Sequence, residues 1–176
     1  MQILKDSRFT VNDAVVRHLA FIIRCAVAAT MSYLAAREIG LDFPAWAAIS
    51  GLIVSQDRVH ETRHAMRERF IGTIIGIVVA VVSSALLART GFNVAAQMAV
   101  AVGICAAVAR RYRKFRVCMW TCPTVFFTAV TTTPIFMVGL DRGLEVIIGG
   151  AIAGLLHIIF DNVVLTAMGW QSRKSE

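Results

Sequence analysis

Long apolar runs separated by short basic clusters are the feature that most restricts what this chain can become. The runs lie at residues 18–36, 43–57, 70–88, 93–109, 117–138 and 143–168. A stretch of about 18 or more apolar residues matches a hydrocarbon layer roughly 30 Å thick, where each segment must satisfy its own backbone hydrogen bonds. The expectation is an all-α polytopic membrane protein with six transmembrane helices, forming a single transmembrane domain over residues 1–176. With 57% of residues hydrophobic and 16% charged, the chain departs from a soluble domain in the same direction. Run 43–57 is short for a span at ~1.5 Å per residue. It nevertheless begins well, with Asp42 placed to cap, Pro44 suited to a first helical turn and Trp46 at the interfacial level.

The formal charge of +7 does not point to nucleic acid, because the basic residues sit between the apolar runs, where they act as topology signals. Lys5, Arg8 and Arg17 precede the first run, Arg58, Arg63, Arg67 and Arg69 precede the third, and Arg110, Arg111, Arg113, Lys114 and Arg116 precede the fifth. Arg173 and Lys174 follow the sixth, while Arg37, Arg89 and Arg142 fall in the alternate segments. The positive-inside rule then puts both termini in the cytoplasm and the chain in the cell inner (plasma) membrane as a multi-pass protein. Arg24 within the first run, and the lack of a cleavage site after it, argue against a removable signal peptide. Cys25, Cys105, Cys118 and Cys122 lie in or beside apolar segments without a CxxC pair or clustered His, so neither a metal nor a cofactor is expected. Nor is an enzyme, since no nucleophile motif or phosphate loop is visible.

At an offset of 73, "RCAVAATMSYLAAR" from Arg24 lies on "QMAVAVGICAAVAR" from Gln97, and "RFIGTIIGIVVA" from Arg69 on "RGLEVIIGGAIA" from Arg142. Matches among Ala, Val and Ile are cheap; Arg69 on Arg142, Arg37 on Arg110 and Gly76 on Gly149 are less so. Three spans per repeat is odd, which predicts a 3+3 inverted repeat with a site at the interface of the halves.

The stretch "DFPAWAAISGLIVSQD" and the following "RERFIGTIIGIVVAVV" resemble the fusaric acid resistance (FUSC) family of the aromatic acid exporter superfamily. Pro44 and Trp46 open the second helix as in that family, Gln56 closes it, and Arg69, Gly72, Thr73 and Gly76 form its Arg-x-x-Gly-Thr-x-x-Gly pattern. The resemblance implies efflux of aromatic or other organic carboxylic acids across the bacterial inner membrane. It reaches more distantly to plant aluminium-activated malate transporters, which conduct organic anions as dimers. The chain ends soon after the sixth run, without the cytoplasmic domain and second six-helix set of larger family members. The expected partners are a small organic anion, the lipid bilayer and a second copy of the chain, with a periplasmic adaptor as a further option and no nucleic acid.

Several residues are candidates for substrate binding or for lining a pathway. Arg24 lies about six residues into the first run and Asp161 at a similar depth in the sixth, so the two are expected to pair, or Arg24 to grip a carboxylate. A structural pair, or snorkelling to the headgroups, is the competing reading. His157 lies one turn deeper than Asp161 on a face with Gly150 and Gly154, suiting either a proton path or a hydrogen bond to a neighbouring helix. Asn162 has the same two readings. The fifth run holds Pro123 and Pro134 and a series of threonines, including Thr121, Thr124, Thr128, Thr131 and Thr132, so a kinked helix lining a pathway is expected there. Phe126 and Phe127 offer aromatic surface to a ring-bearing substrate or to lipid. The leading expectation is a transporter or transporter subunit. An organic-anion channel and a non-transporting membrane scaffold or partner subunit are the alternatives.

Overall fold

The structure, a computed structural model, describes residues 11–129 and 134–174, with side chains placed over 15–129 and 134–163. Among the described residues every regular element is helical: α1 (Val11–Glu38), α2 (Ala45–Val54), α3 (Val59–Ala88), α4 (Val94–Arg111), a 3-10 turn (Arg113–Phe115), α5 (Cys118–Thr128) and α6 (Ile135–Lys174). Among the described residues four stretches are long and apolar enough to cross a membrane: Val15–Glu38, Val59–Ala88, Val94–Arg111 and Ile135–Val163. The expected spans at 43–57 and 117–138 instead form helices of 10 and 11 residues. At ~1.5 Å per residue each extends about 15 Å, half of a hydrocarbon core.

Local chemistry accounts for most of the boundaries. Gly40 and Gly91, with φ of 85° and 76°, take the left-handed conformation that follows a helix end without a Cβ penalty, and so close α1 and α3. Asn93 caps α4 by accepting from the Ala96 N–H at 2.9 Å. The expected cap by Asp42 is not made; Pro44 occupies the N-cap position of α2, and its carbonyl accepts from Ala47 at 3.1 Å. Pro123 lies within α5. Pro134, expected to kink the fifth span, stands at the entrance to α6, where its carbonyl accepts from Met137 at 2.9 Å and its missing N–H costs nothing. The sixth helix therefore begins eight residues before the expected 143, and Arg142 lies inside it rather than in a connecting segment.

Packing is exchanged between the two halves of the chain. α6 packs on α1 and α2, α3 packs on α4 and α5, and α3 and α6 pack on each other. The interior is built from small side chains. Ala80, Ala101, Cys105, Ala109, Cys118 and Cys122 fill one core, and Ala28, Val54, Ala153 and Leu156 the other. The large aliphatics point outward, among them Ile22 and Leu34 on α1, Ile74, Val78 and Leu86 on α3, and Leu155 on α6. This distribution suits a hydrocarbon solvent, in which helices gain by close backbone approach and lose nothing by exposing leucine. The family-motif glycines serve that approach. Gly72 and Gly76 let α3 lie against Val117, Cys118, Thr121 and Cys122 of α5, and Gly149 lets α6 lie against Ala47, Ser50 and Gly51 of α2. Gly150 and Gly154 face Phe70 and Met66 of α3, so that face of α6 is a helix contact.

Candidate functional site

The residues singled out in the sequence fall at two ends of the bundle. At one end, Arg17, His18, Phe21, Arg24, Asp57, Arg58, Phe160 and Asp161 surround a cleft of about 680 Å³. Arg24 reaches in from α1 with its guanidinium over the Phe21 ring, 5.3 Å from the centroid. Its Nη2 donates to the Gln56 carbonyl at 2.5 Å. The expected ion pair with Asp161 is not formed: the two share the cleft without approaching to 4.0 Å, and Asp161 is exposed. The reason lies just past α2: the helix stops at Val54, and the carbonyl of Gln56 in the connection that follows takes its hydrogen bond from Arg24.

His157 ties down the same junction from the other side. The Gln56 N–H donates to Thr62 Oγ1 at 3.2 Å, and Thr62 Oγ1 lies 2.6 Å from His157 Nδ1. The hydroxyl has a second lone pair and one proton to offer, so which atom donates in this contact is set by the tautomer of the ring. His157 is 2% exposed and borders a cavity of about 290 Å³ between Met66, Gly154 and Leu155. Thr128 stands at the opposite end of the molecule. Its hydroxyl donates to the Thr124 carbonyl at 2.8 Å, and it borders a cavity of about 60 Å³ with Asp42, Asp141, Arg142 and Glu145. Thr131 and Thr132 lie outside the described residues. Phe126 is buried in the core against α4, and Phe127, 73% exposed, points outward.

Between these ends lies a cavity of about 340 Å³ lined by Trp46, Ile49, Ile53, Arg69, Val117, Trp120, Thr121, Thr124 and Arg142. Arg69 and Arg142 are 6% and 3% exposed. Arg69 sits ten residues into α3, about 15 Å from its start, and Arg142 seven residues into α6, about 10 Å from its start. Both side chains are buried within the protein, where an arginine has to be paired or face a polar cavity. Arg142 does both: its Nη1 donates to Glu145 Oε2 at 2.7 Å, and its guanidinium stacks over Trp46, 4.3 Å from the ring centroid. Arg69 has no acidic partner among the described residues. Its Nη2 donates to Ser50 Oγ at 3.2 Å, and the Nε of both arginines is buried without a partner.

This is an electropositive chamber with an aromatic wall. Guanidinium groups present paired donors to a carboxylate, indole faces stack on a ring, and Thr121 and Thr124 add hydroxyls. Trp46 and Arg69 carried the family resemblance in the sequence; Arg142, Glu145, Trp120 and the role of the cavity did not stand out there. The signal that leads to Arg142 is the offset of 73, which lays it on Arg69. Among the described residues no group of His, Cys, Asp or Glu is arranged to hold a metal ion.

The helices and the buried arginines define a polytopic membrane protein of transporter type. The fusaric acid resistance protein family matches residues 18–166, and the chain belongs to that family. Comparison with curated proteins and with solved structures returns no match.

Proposed function

We propose that this chain is an inner-membrane transporter, or transporter subunit, that exports aromatic and other organic carboxylic acids and binds them between Arg69 and Arg142. The observation that carries the reading is a pair of buried guanidinium groups on one cavity, with a single carboxylate to balance them. An uncompensated buried positive charge is costly, and a bound organic anion removes that cost while its ring lies against Trp46. The lengths of the elements support an inverted repeat: α1, α2 and α3 read long, short, long, and so do α4, α5 and α6. On this reading the chain makes six crossings with both termini cytoplasmic, α2 and α5 being half-length helices beside the cavity. The cleft bordered by Arg17, Arg24 and Arg58 then faces the cytoplasm, where its charges gather organic anions. Ile53 and the 74% exposed Trp120 stand at the side of the central cavity, and a second copy of the chain closes that side in a homodimer.

The test is uptake of labelled benzoate into inside-out proteoliposomes by the wild type and Arg69→Gln at equal protein content. Loss of a charge-assisted hydrogen bond worth about 1.5–3 kcal/mol lowers uptake at subsaturating benzoate by about 10-fold or more. Wild-type rates in the variant overturn the site. Uptake that needs a proton gradient identifies a coupled exporter, whereas current following the benzoate gradient alone identifies the organic-anion channel.

A further inference from the structure

The two halves differ at one position that touches the cavity's charge. In the first half the residue three after the arginine is Gly72; in the second, at the offset of 73, it is Glu145. Gly72 is needed where it stands, since an added Cβ would come within 2.9 Å of Val117 Cβ. Glu145 meets a different requirement. It is 1% exposed and sets its carboxylate against Arg142 at 2.7 Å. A carboxylate in that position holds a charged partner close but lowers the attraction of the chamber for anions. Asp42 and Asp141 border the adjoining small cavity; Asp42 is exposed and Asp141 half-buried, so both retain solvent or headgroup contact. Among the described residues around this cavity, the deeply buried charges are thus two positive, Arg69 and Arg142, against one negative, Glu145. One further negative charge brings the group to neutrality, and a second overshoots it.

We propose that Glu145 sets the charge class of the substrate: with its carboxylate on Arg142 the cavity takes a monocarboxylate, and removing that carboxylate admits a dicarboxylate. The proposal rests on the cavity being the organic-anion site and adds the rule by which it selects. Glu145 borders the small adjoining cavity and acts on the central one through Arg142, so recognition is by charge balance: a second substrate charge is rejected while the Arg142 charge is already compensated. A monocarboxylate leaves the Arg142–Glu145 pair intact and engages Arg69, which has no acidic partner among the described residues. A dicarboxylate needs both guanidinium groups and competes with Glu145 for the second.

The test uses benzoate and isophthalate, both fully ionised at neutral pH, and reads binding to the full-length protein in detergent by tryptophan fluorescence, for which Trp46 and Trp120 in the cavity wall are the reporters. The wild type is expected to bind benzoate at least about tenfold more tightly than isophthalate. In Glu145→Gln, which keeps the shape and an acceptor for Arg142, that ratio is expected to fall by about tenfold or more, or to invert. Glu145→Ala serves as a second charge-free variant should the first aggregate, and Glu145→Asp is expected to keep the wild-type ratio. An unchanged ratio in the charge-free variants overturns the proposal, as does a wild type that binds both probes equally well; both results leave the cavity reading standing. A wild type that binds neither probe overturns the cavity reading and the charge rule together.

Discussion

Substituting Gly149 by alanine tests the packing that puts the chamber together. A Cβ at Gly149 would collide with the carbonyl oxygen of Ala47 and come within 2.9 Å of the Gly51 nitrogen and of Ser50 Cβ. The opposing atoms are backbone or directly attached to it, so no side-chain rotation relieves the contact and α2 has to move away from α6. Overpacking of this kind costs about 1–3 kcal/mol, offset by about 0.5–1 kcal/mol from replacing a helical glycine with alanine. Gly103 on α4 supplies the control, since a Cβ there meets nothing within 4 Å. Gly103→Ala should therefore stabilise by up to about 1 kcal/mol. The two variants are expected to differ by about 2 kcal/mol, about 30-fold in the unfolding equilibrium. The assay is reversible unfolding in mixed detergent micelles followed by helical circular dichroism. Transport should fall along with stability in Gly149→Ala, because α2 carries Ser50, which accepts from Arg69, and Trp46, which stacks on Arg142. Equal stability of the two variants would refute the close-approach argument.

Three further outcomes follow from the geometry. Thr62→Val removes the hydroxyl that joins the Gln56 N–H to His157 Nδ1 and should cost about 1–3 kcal/mol in the same unfolding assay; in a double-mutant cycle with His157→Ala the losses should be far from additive. Arg24→Ala leaves the Gln56 carbonyl without its donor and should lower stability by about 1–3 kcal/mol, with Arg24→Lys recovering part of it; a stability-neutral Arg24→Ala that abolishes benzoate uptake would instead make the residue a binding group. Phe127→Ala should leave benzoate uptake within about twofold of wild type, because the ring points away from the protein; a larger loss would place it in the pathway.

The membrane class was legible because it depends on run length and composition, which are properties of the sequence alone. The motif Arg69-x-x-Gly72-Thr73-x-x-Gly76 was equally visible, and one helical face of it does serve close packing. Less legible was the boundary of the sixth helix. Pro134 lies within a continuous apolar run, and whether a proline kinks one helix or starts the next depends on the path of the chain around it. The expected Arg24–Asp161 pair failed for a related reason: depth along each helix brought both residues to one cleft, but depth does not reveal that the Gln56 carbonyl, in the connection after α2, is the acceptor Arg24 meets. Arg142 was assigned to a connecting segment by a charge rule that works at the level of loops and cannot tell a loop arginine from one two turns inside a helix.

The sequence by itself determined that the chain lives in a bilayer, where its basic residues cluster and which glycines permit close contact, since these depend on local composition and spacing. Only the tertiary structure decided that Arg69 and Arg142, 73 residues apart, share one cavity with Trp46 and Trp120. That meeting depends on the exchange of α3 and α6 between the halves, and a buried charge shows its partner only once the helices around it are packed.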